Sequence, residues 1–314
     1  MRPRISMLGA PASGPGVWTQ RTTSGSRSWS AISSSYDGKR LVACARDGYI
    51  YTSSDGGATW KERTAAGSRD WRSISSSADG SVIVAGANSK VVYISKDCGE
   101  TWVEKTTSTS STGYWSSIAV SSNAKKIVAC YFSSSSDNCV YISSDAGESW
   151  TNQAGLLNVG GTCTGVASSS DGSKLFACRR GGYVYYSHDA GSTWTKSIGP
   201  YFFEKIACDG TGNIVVACTE ISTGVVYLST NGGVSWSAVT PSGSHDWLCI
   251  DVSGIGDQIL VGGSASYMQR TKNNGSSWSE ETSAGSRIWY GVKFSYSGKR
   301  AAACAYNGYI YTYY

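Results

Sequence analysis

The sequence predicts an all-β fold: a seven-bladed β-propeller of four-stranded antiparallel blades, closed by an N-terminal strand that completes the C-terminal blade. Three observations lead to this prediction. A motif of eight residues, Ser/Thr-x-Asp/Asn-x-Gly-x-Ser/Thr-Trp, occurs six times. The tryptophans that close successive copies, together with Trp18, are 42 to 48 residues apart. Between the copies the chain shows only strand and turn signals, and such a period built from strands is typical of propeller blades.

The six copies of the motif share the Asp or Asn, the Gly and the closing Trp. They are Ser53–Trp60, Ser95–Trp102, Ser143–Trp150, Ser187–Trp194, Ser229–Trp236 and Thr271–Trp278. The glycine supplies a positive φ where two strands are joined by a tight turn. The Asp or Asn accepts hydrogen bonds from nearby backbone N–H groups, and the Trp buries on the order of 200 Å² inside the blade. Because none of these roles needs a ligand, we interpret the motif as structural.

Three further strands are expected between two copies of the motif. In the first unit, residues 29–33 alternate as an inner strand, and Asp37 and Gly38 form a hairpin turn. Residues 40–44 are largely apolar, as in a strand buried on both faces, and residues 49–51 form the third strand. The motif then leads into a polar outer strand at residues 60–63. Equivalent inner strands are expected around Trp71, Trp115, Val166, Ile206, Trp247 and Trp289, which makes seven units.

The two ends of the chain are expected to meet in one blade. The last unit stops after its third strand at Thr312, and a lone outer strand at Trp18 precedes the first unit. We therefore expect residues 17–23 to complete the blade built by residues 286–314, which removes an open sheet edge. The predicted organisation is an N-terminal arm at residues 1–16 followed by a single propeller domain at residues 17–314.

Composition argues against several classes of partner. The 314 residues are 40% hydrophobic and 16% charged, with a net charge of +5 and no dense run of Lys and Arg. Nucleic-acid binding is not indicated, because it depends on clustered positive charge. No apolar stretch reaches the length of a membrane span, and residues 1–17 do not resemble a signal peptide, so we read them as a mobile arm. The oligomeric state and the compartment stay open.

The cysteines and histidines predict neither a metal centre nor a cofactor. Five of the ten cysteines recur at one repeat position, namely Cys44, Cys130, Cys178, Cys218 and Cys304. Neighbours at that register would lie beyond the roughly 7 Å between Cα atoms that a disulfide tolerates, so we interpret them as buried thiols. Unpaired thiols favour a reducing compartment, or a virion or surface protein without disulfides. His188 and His245 are not spaced from the cysteines as zinc ligands are.

The eight-residue motif resembles the Asp-box, or BNR, repeat of sialidases and related β-propellers. In sialidases these boxes lie away from the active face, and the resemblance implies the same here. The connections between blades, together with the turns between second and third strands, then share the opposite face. Ligands of such folds usually bind on that face, close to the axis, so the inter-blade connections are the segments in which to look for a site.

The inter-blade connections carry a second motif, Gly-Ser-Arg/His-x-Trp. It occupies residues 25–29, 67–71, 243–247 and 285–289, in four units that are contiguous around a closed ring. Arginine forks bind carboxylate, sulfate or phosphate oxygens, and indole faces stack on sugar rings. The predicted ligand-binding residues are Arg27, Trp29, Arg69, Asp70, Trp71, Tyr114, Tyr201, His245, Asp246, Trp247, Arg287 and Trp289. An alternative stays open, in which the motif is only the repeat consensus, with each Arg and Trp packed between blades.

Three function hypotheses follow. The first is a non-enzymatic propeller that recognises a glycan, such as an anionic sugar, on the inter-blade face. The second is a protein-interaction scaffold, similar to the seven-bladed photosystem II assembly factors that hold a protein partner on a basic patch. The third is a sialidase-like glycoside hydrolase, whose three arginines would correspond to Arg27, Arg69 and Arg287. These arginines occupy equivalent repeat positions and the sialidase Arg-Ile-Pro motif is absent. No catalytic residue is therefore assigned.

Overall fold

The computed structural model describes residues 16–89, 91–106, 113–132, 139–153, 162–220, 224–241, 243 and 245–314. In these residues it contains 28 β-strands, three 3-10 helices and no α-helix. The predicted N-terminal arm falls almost wholly on residues 1–15, which lie outside the described part of the chain. The single domain expected at residues 17–314 stays a prediction.

The strands group into seven units of four, which we number as blades in chain order. The strands themselves are numbered β1 to β28 along the chain. The first strand is β1 (Thr19–Arg21). Blade 1 contains β2 (Trp29–Ser34), β3 (Leu41–Ala45), β4 (Ile50–Ser53) and β5 (Lys61–Arg63). Blade 2 contains β6 (Trp71–Ser76), β7 (Ile83–Ala87), β8 (Val91–Ser95) and β9 (Val103–Thr106). Blade 3 contains β10 (Tyr114–Val120), β11 (Ile127–Phe132), β12 (Cys139–Ser143) and β13 (Thr151–Asn152).

The remaining blades follow the same plan. Blade 4 contains β14 (Thr162–Ser168), β15 (Leu175–Gly182), β16 (Val184–Ser187) and β17 (Thr195–Lys196). Blade 5 contains β18 (Tyr201–Cys208), β19 (Val215–Thr219), β20 (Val226–Ser229) and β21 (Ser237–Ala238). Blade 6 contains β22 (Trp247–Val252), β23 (Ile259–Gly263), β24 (Gln269–Thr271) and β25 (Ser279–Glu280). Blade 7 contains β26 (Trp289–Phe294), β27 (Ala301–Ala305) and β28 (Ile310–Tyr313), and the 3-10 helices are Thr22–Ser24, Thr64–Ala66 and Thr282–Ala284.

The two ends of the chain meet in blade 7, which confirms the predicted closure. Strand β1 is the outer strand of this blade and pairs antiparallel with β28, with Gln20 opposite Tyr311. The Tyr311 hydroxyl also donates a hydrogen bond to Oε1 of Gln20 at 2.8 Å. A residue from the start of the chain therefore completes the sheet formed by its end, and the fold is the predicted seven-bladed β-propeller of antiparallel four-stranded blades.

Every inner strand carries a β-bulge directly after its first core residue. In blade 1 the register with β3 shifts between Trp29 and Ala31, and the same shift occurs at the equivalent position of the other six blades. A bulge re-aims the side chains around it. It allows the Trp to point between blades while the residues that follow line the central channel. Residue 29 and its equivalents are called the wedge position below.

The core lies between blades rather than within one sheet. Trp71 of blade 2, for example, packs against Val42, Cys44 and Ile50 of blade 1. The residues at the wedge position are completely buried, namely Trp29, Trp71, Trp115, Cys163, Phe203, Trp247 and Trp289. Burial of a large aromatic ring is among the strongest hydrophobic contributions a single residue makes. The inter-blade interfaces are thus held mainly by side chains at one repeat position.

A belt of backbone hydrogen bonds closes the ring at one end of the channel. Each blade donates an N–H from its first hairpin turn to a carbonyl of the next blade. The donor and acceptor pairs are Tyr36–Ala78, Ala78–Ser122, Ser122–Ser170, Ser170–Gly210, Gly210–Gly254, Ile255–Tyr296 and Tyr296–Tyr36, all between 2.7 and 3.1 Å. The belt returns to its first residue. The ring is therefore closed by main-chain contacts as well as by packed side chains.

The Asp-boxes satisfy their polar groups locally. In the first box, Ser53 Oγ accepts the Gly57 N–H at 2.8 Å, and Asp55 accepts the N–H of Thr59 at 2.9 Å. The Trp60 indole donates to the Gly57 carbonyl at 3.1 Å. Gly57 has a φ of +90°, a conformation that L side chains rarely adopt. The Asp carboxylate thus accepts hydrogen bonds from within its own box, as expected of a structural turn.

Candidate functional site

The two ends of the propeller carry different kinds of loop. The inter-blade connections pair with the turns between second and third strands, as in the bridges between Arg27 and Gly308 and between Gly48 and Arg69. This end is called the inter-blade face. The Asp-boxes and the first hairpin turns lie at the other end, called the turn face, where Gly56 N–H donates to the Lys39 carbonyl at 2.7 Å. The two motifs of the sequence therefore lie on opposite faces.

The three motif arginines are held in one repeated geometry. Each Nε donates to the backbone carbonyl three residues earlier: Arg27 to Ser24, Arg69 to Ala66 and Arg287 to Ala284, at 3.0 to 3.2 Å. Each guanidinium lies over a tyrosine of the third strand: Arg27 over Tyr51, Arg69 over Tyr93 and Arg287 over Tyr311, with 4.3 to 4.8 Å to the ring centroid. Cation–π contacts of this kind stabilise both partners.

Two of these guanidinium groups also lie close to a glutamate carboxylate. Arg69 forms an ion pair with Glu104 at 3.2 Å, and Arg27 approaches Glu62 at 4.0 Å. Burial, with Glu104 also contributing, raises the pKa of Tyr93 to about 12. The tyrosine hydroxyl is thus kept protonated beneath the arginine. The side chains of Arg27 and Arg69 are each 38% exposed, and both already have partners within their own blade.

The motif tryptophans lie inside the inter-blade interfaces. Trp29, Trp71, Trp247 and Trp289 are completely buried. Trp29 makes an edge-to-face contact with Tyr51 at 5.1 Å between ring centroids, and Trp71 makes the same contact with Tyr93 at 4.9 Å. Because both faces of these indoles are covered, a sugar ring could stack on them only if the blades separated.

The other predicted site residues lie around the rim of the channel. Asp70 is ion-paired with Arg72 at 2.5 Å, and the Arg72 guanidinium lies 5.1 Å from the ring centroid of Tyr114. The structure therefore brings Asp70 and Tyr114 together through a residue that sequence reasoning missed. The signal was a charged residue directly after a wedge tryptophan. On the far side of the rim, the His245 ring packs edge-on against Trp247 at 5.2 Å, and Asp246 is partly exposed beside it.

The channel contains charged groups that sequence reasoning also missed. It is a cavity of about 220 Å³ lined by the seven inner strands. Lys205 Nζ donates to the carbonyls of Ser116 and Thr164 at 3.3 and 3.2 Å. Lys293 forms an ion pair with the buried Asp251 at 2.7 Å, and burial raises the pKa of the Asp251 carboxyl in spite of that partner.

Two tyrosines cover the channel at the turn face. Tyr296 lies across Gly254 and Gly210, so closely that a Cβ on Gly254 would come within 2.2 Å of its ring. Tyr36 stacks on Tyr296 with 4.3 Å between centroids and remains 54% exposed. Glycine at these two belt positions leaves room for the Tyr296 ring, because a Cβ there would clash with it.

An exposed aromatic patch lies on the inter-blade face at blade 5. Tyr201 and Phe202 are 40% and 49% exposed, and Tyr201 stacks on Tyr227 with 5.2 Å between centroids. Tyr201 thus takes the place over a third-strand tyrosine that arginine takes in other blades. The patch begins where β18 pairs with β15, with Phe202 opposite Arg180. This pairing joins blades 4 and 5 into one eight-stranded sheet, which the repeat did not predict.

Charged groups flank these two aromatic residues. Arg180 forms an ion pair with Glu220, and the Glu220 N–H donates to the Phe202 carbonyl at 3.1 Å. Burial raises the pKa of the neighbouring Glu204 carboxyl, with Glu220 acting in the same direction. Tyr201, Phe202, Arg180, Glu204 and Glu220 together are called the mouth patch below. It combines exposed apolar rings with both signs of charge.

In the described part of the chain, no group of three or more His, Cys, Asp or Glu residues could hold a metal ion. Across the same residues, no helix is long and apolar enough to cross a membrane.

Comparisons with known proteins agree with the fold. The family model for the BNR/Asp-box repeat matches residues 185–196, around the fourth box. No curated protein gives a significant match. Among solved structures, YCF48 bound to D1 peptide is similar with a TM-score of 0.70 and 15% identity, over 98% of this chain and 99% of that chain. YCF48 from Cyanidioschyzon merolae is similar with a TM-score of 0.72 and 15% identity, over 95% and 99%.

A third similar structure is an enzyme. The GH74 xyloglucanase from Xanthomonas campestris matches with a TM-score of 0.72 and 15% identity, over 95% of this chain and 53% of the xyloglucanase. At 15% identity these likenesses show the fold and nothing finer. A binding protein and a hydrolase share the same architecture, so the chain's activity has to be inferred from its own residues. The chain is a seven-bladed β-propeller that carries the BNR/Asp-box repeat.

Proposed function

We propose that this propeller is a non-enzymatic scaffold that holds a segment of a partner protein on its inter-blade face. The observation that carries the proposal is the mouth patch, in which Tyr201 and Phe202 are exposed beside the Arg180–Glu220 pair. Exposed aromatic residues flanked by charge are the common anchors of protein–protein interfaces. A similar fold was solved with a D1 peptide bound, which makes peptide binding a natural use of this architecture.

The groups around the channel favour a peptide over a sugar. A glycan site built from Trp29, Trp71, Trp247 and Trp289 would need exposed indole faces, and these rings are buried. The arginines of the same motif already contact tyrosine rings and carboxylates. Glycan recognition, the first expectation from the sequence, therefore has weaker support than the scaffold. In our proposal the buried tryptophans act only by holding the shape of the face.

Eight of the predicted site residues keep a place in the proposal, because each has exposed atoms on the inter-blade face or its rim. They are Arg27, Arg69, Asp70, Tyr114, Tyr201, His245, Asp246 and Arg287. Phe202, Arg180, Glu204 and Glu220 of the mouth patch are added to them. An apolar side chain of the partner would pack on the Phe202 ring. The charges of Asp70, Asp246 and Arg180 would then select polar neighbours along the segment.

A hydrolase would need two carboxyl groups placed on either side of a bound sugar. The mouth patch contains two carboxyl groups, Glu204 and Glu220, and Glu220 is already paired with Arg180. An ion-paired carboxylate is a weaker base and a weaker nucleophile than a free one. We therefore assign no catalytic residue.

The test uses a random peptide library displayed on phage and selected on the immobilised full chain. We expect selected peptides to contain an apolar anchor, and expect Phe202→Ser to weaken their binding by about tenfold or more in titration calorimetry. Val234→Ser is the matched control, because Val234 is 55% exposed in the Asp-box of the same blade, on the turn face. Its binding should equal that of the unaltered chain.

Three outcomes would overturn the proposal. Selected peptides could bind to Phe202→Ser and to Tyr201→Ala as tightly as they bind to the unaltered chain. A glycan array could give saturable binding while the library gives none. Turnover of xyloglucan or of a fluorogenic sialoside, abolished by Glu204→Gln, would establish an enzyme.

A further inference from the structure

Two buried thiols from adjacent blades approach each other closely. Cys130 lies on β11 of blade 3 and Cys163 on β14 of blade 4, and their Sγ atoms are 2.7 Å apart. Both residues are completely buried. We propose that Cys130 and Cys163 form a disulfide that links blades 3 and 4 covalently when the chain folds in the presence of a small-molecule disulfide of the glutathione class.

The pair lies where the ring lacks its usual wedge. Six of the seven wedge positions carry a large aromatic ring, and the seventh is Cys163. Around it, Val128, Cys130 and Val140 of blade 3 form the facing wall. An indole or phenyl ring in the other interfaces buries far more apolar surface than a thiol does. This interface therefore lacks the contribution that holds the other six, and a covalent link would replace it.

The blades nevertheless keep their usual separation at this point. Ser116 Oγ of blade 3 donates to the Cys163 carbonyl at 2.8 Å. The corresponding bonds, from Ser30 to the Trp71 carbonyl and from Thr164 to the Phe203 carbonyl, are also 2.8 Å. The backbone distance is thus the same with a thiol as with an aromatic ring.

The preceding interface shows that the two positions face each other directly. There the equivalents of Cys130 and Cys163 are Gly86 and Trp115. A Cβ added to Gly86 would lie 2.3 Å from the Trp115 Cβ. This distance shows only that the two positions are neighbours, because it is shorter than the roughly 3.5 to 4.5 Å between the Cβ atoms of a disulfide, whose sulfurs lie about 2.05 Å apart. Small adjustments of the two side chains from 2.7 Å would reach bonding distance.

The chemistry balances as two successive exchanges. The thiolate of one cysteine attacks a sulfur of the small-molecule disulfide, forms a mixed disulfide and releases one small thiolate. The second protein thiolate attacks the protein sulfur of that mixed disulfide and releases the other small thiolate. Two protein thiols and one small disulfide thus become one protein disulfide and two small thiols, and the small disulfide accepts the two electrons.

Burial decides when this exchange takes place. It raises the pKa of the Cys130 thiol well above the usual range, and the adjacent thiol of Cys163 adds to the effect. The reactive thiolate is therefore rare while the ring is closed. We expect the bond to form during folding, before blades 3 and 4 close, and not in the folded protein. Cys178 is a competitor, because its Sγ would lie 2.9 Å from a Cβ on Gly165 of the strand that carries Cys163.

The test refolds the full chain from denaturant in a mixture of oxidised and reduced glutathione. Intact mass spectrometry should show the loss of two hydrogen atoms, and a digest without reductant should join the peptides that contain Cys130 and Cys163. Cys178→Ser should form the same bond, whereas Cys163→Ser should not. The oxidised chain should unfold several degrees above its reduced form, and this difference should vanish in Cys163→Ser.

The unaltered chain decides the pairing even if a variant fails to fold. A digest that retains free Cys130 and Cys163 after oxidative refolding would overturn the proposal, as would one that joins Cys163 to Cys178. Equal unfolding temperatures for the oxidised and reduced chains would overturn the inference that the bond replaces the missing aromatic wedge at this interface.

Discussion

Two arcs of the same ring differ in what their wedge and rim positions carry. Blades 6, 7, 1 and 2 repeat Gly-Ser-Arg/His-x-Trp and fill each position in nearly the same way. Blades 3, 4 and 5 depart from it at Tyr114, Cys163, Tyr201 and Phe202. The backbone belt runs through both arcs with the same bond lengths. The two arcs therefore share one scaffold and differ in side chains and in the β15–β18 pairing that joins blades 4 and 5.

The repeated residues and the residues that depart from the repeat have different surroundings in the two arcs. In the regular arc each motif arginine has a partner in its own blade, as when Arg69 contacts the Tyr93 ring and Glu104. In the departing arc the substituted residues leave exposed rings and an interface without its aromatic wedge. In a repeat protein, an asymmetric partner has to be recognised by features that are not repeated. The departures are therefore the better guide to the site, although the arginine motif is the more conspicuous pattern.

The largest expected difference between the arcs is in stability. Trp71→Ala should lower the free energy of unfolding by about 3–5 kcal/mol, because it leaves a large cavity between blades 1 and 2. The equivalent change in the departing arc, Cys163→Ala in reduced protein, should lower it by about 1 kcal/mol. Denaturant titration of both variants measures this, with the exposed Val103→Ala as a control expected within about 0.5 kcal/mol. Equal losses for Trp71→Ala and Cys163→Ala would remove the energetic distinction between the arcs.

A smaller difference should appear as pH dependence at the mouth patch. Burial raises the pKa of Glu204 above its ordinary value of 4.5. The folded state therefore binds this proton more tightly than the unfolded state does, and stability falls as pH rises from about 4.5 through the raised pKa. Glu204→Gln should stabilise the protein at pH 7 and leave its stability at pH 4 nearly unchanged. Denaturant titrations at the two pH values measure both, and destabilisation at pH 7 would show that the carboxylate is favourably paired.

The smallest effect on stability is expected at a single Asp-box, where the carboxyl pKa is lowered and not raised as it is at Glu204. Hydrogen bonds from Thr101 and Ser95 lower the pKa of Asp97 to about 2. Its contribution to stability is present above the ordinary value of 3.8 and is lost as pH falls from about 4 through 2. Asp97→Asn should reduce this acid sensitivity slightly. Asn231 shows that an amide fits, since it accepts the Ser235 N–H at 2.9 Å. Unchanged sensitivity between pH 4 and 2 would contradict the local account of the box.

The architecture could be predicted because its determinants are local and repeated. Each Asp-box stabilises its turn by hydrogen bonds within the box, so the spacing of the boxes along the sequence gives the blade period. The last unit lacks a fourth strand, which predicts the pairing of Gln20 with Tyr311. The candidate site could be predicted only in part. Arg72, Lys205 and Lys293 reach the channel because of the bulge after the wedge position. Nor does the sequence pattern distinguish a tryptophan on the rim from one buried between blades.

Two further features depend on contacts between blades, and the sequence repeat therefore did not predict them. The β15–β18 pairing, which positions Phe202, arises only where two irregular blades meet. The approach of Cys163 to Cys130 joins different registers, whereas the sequence compared cysteines at a single register. A sequence repeat predicts the structure within one blade. It does not predict the contacts between neighbouring blades whose sequences differ.

In the proposed function the departing arc, not the arginine motif, recognises the partner. The roles of the two arcs are distinguished by the affinity of a library-selected peptide for two multiple variants, compared by calorimetry. Tyr201→Ala with Phe202→Ser alters the departing arc, and Arg27→Lys with Arg69→Lys and Arg287→Lys alters the regular arc while keeping its charge. We expect the first variant to lose about tenfold or more in affinity and the second to stay within about twofold. Loss in the arginine variant with full binding by the first would contradict the claim.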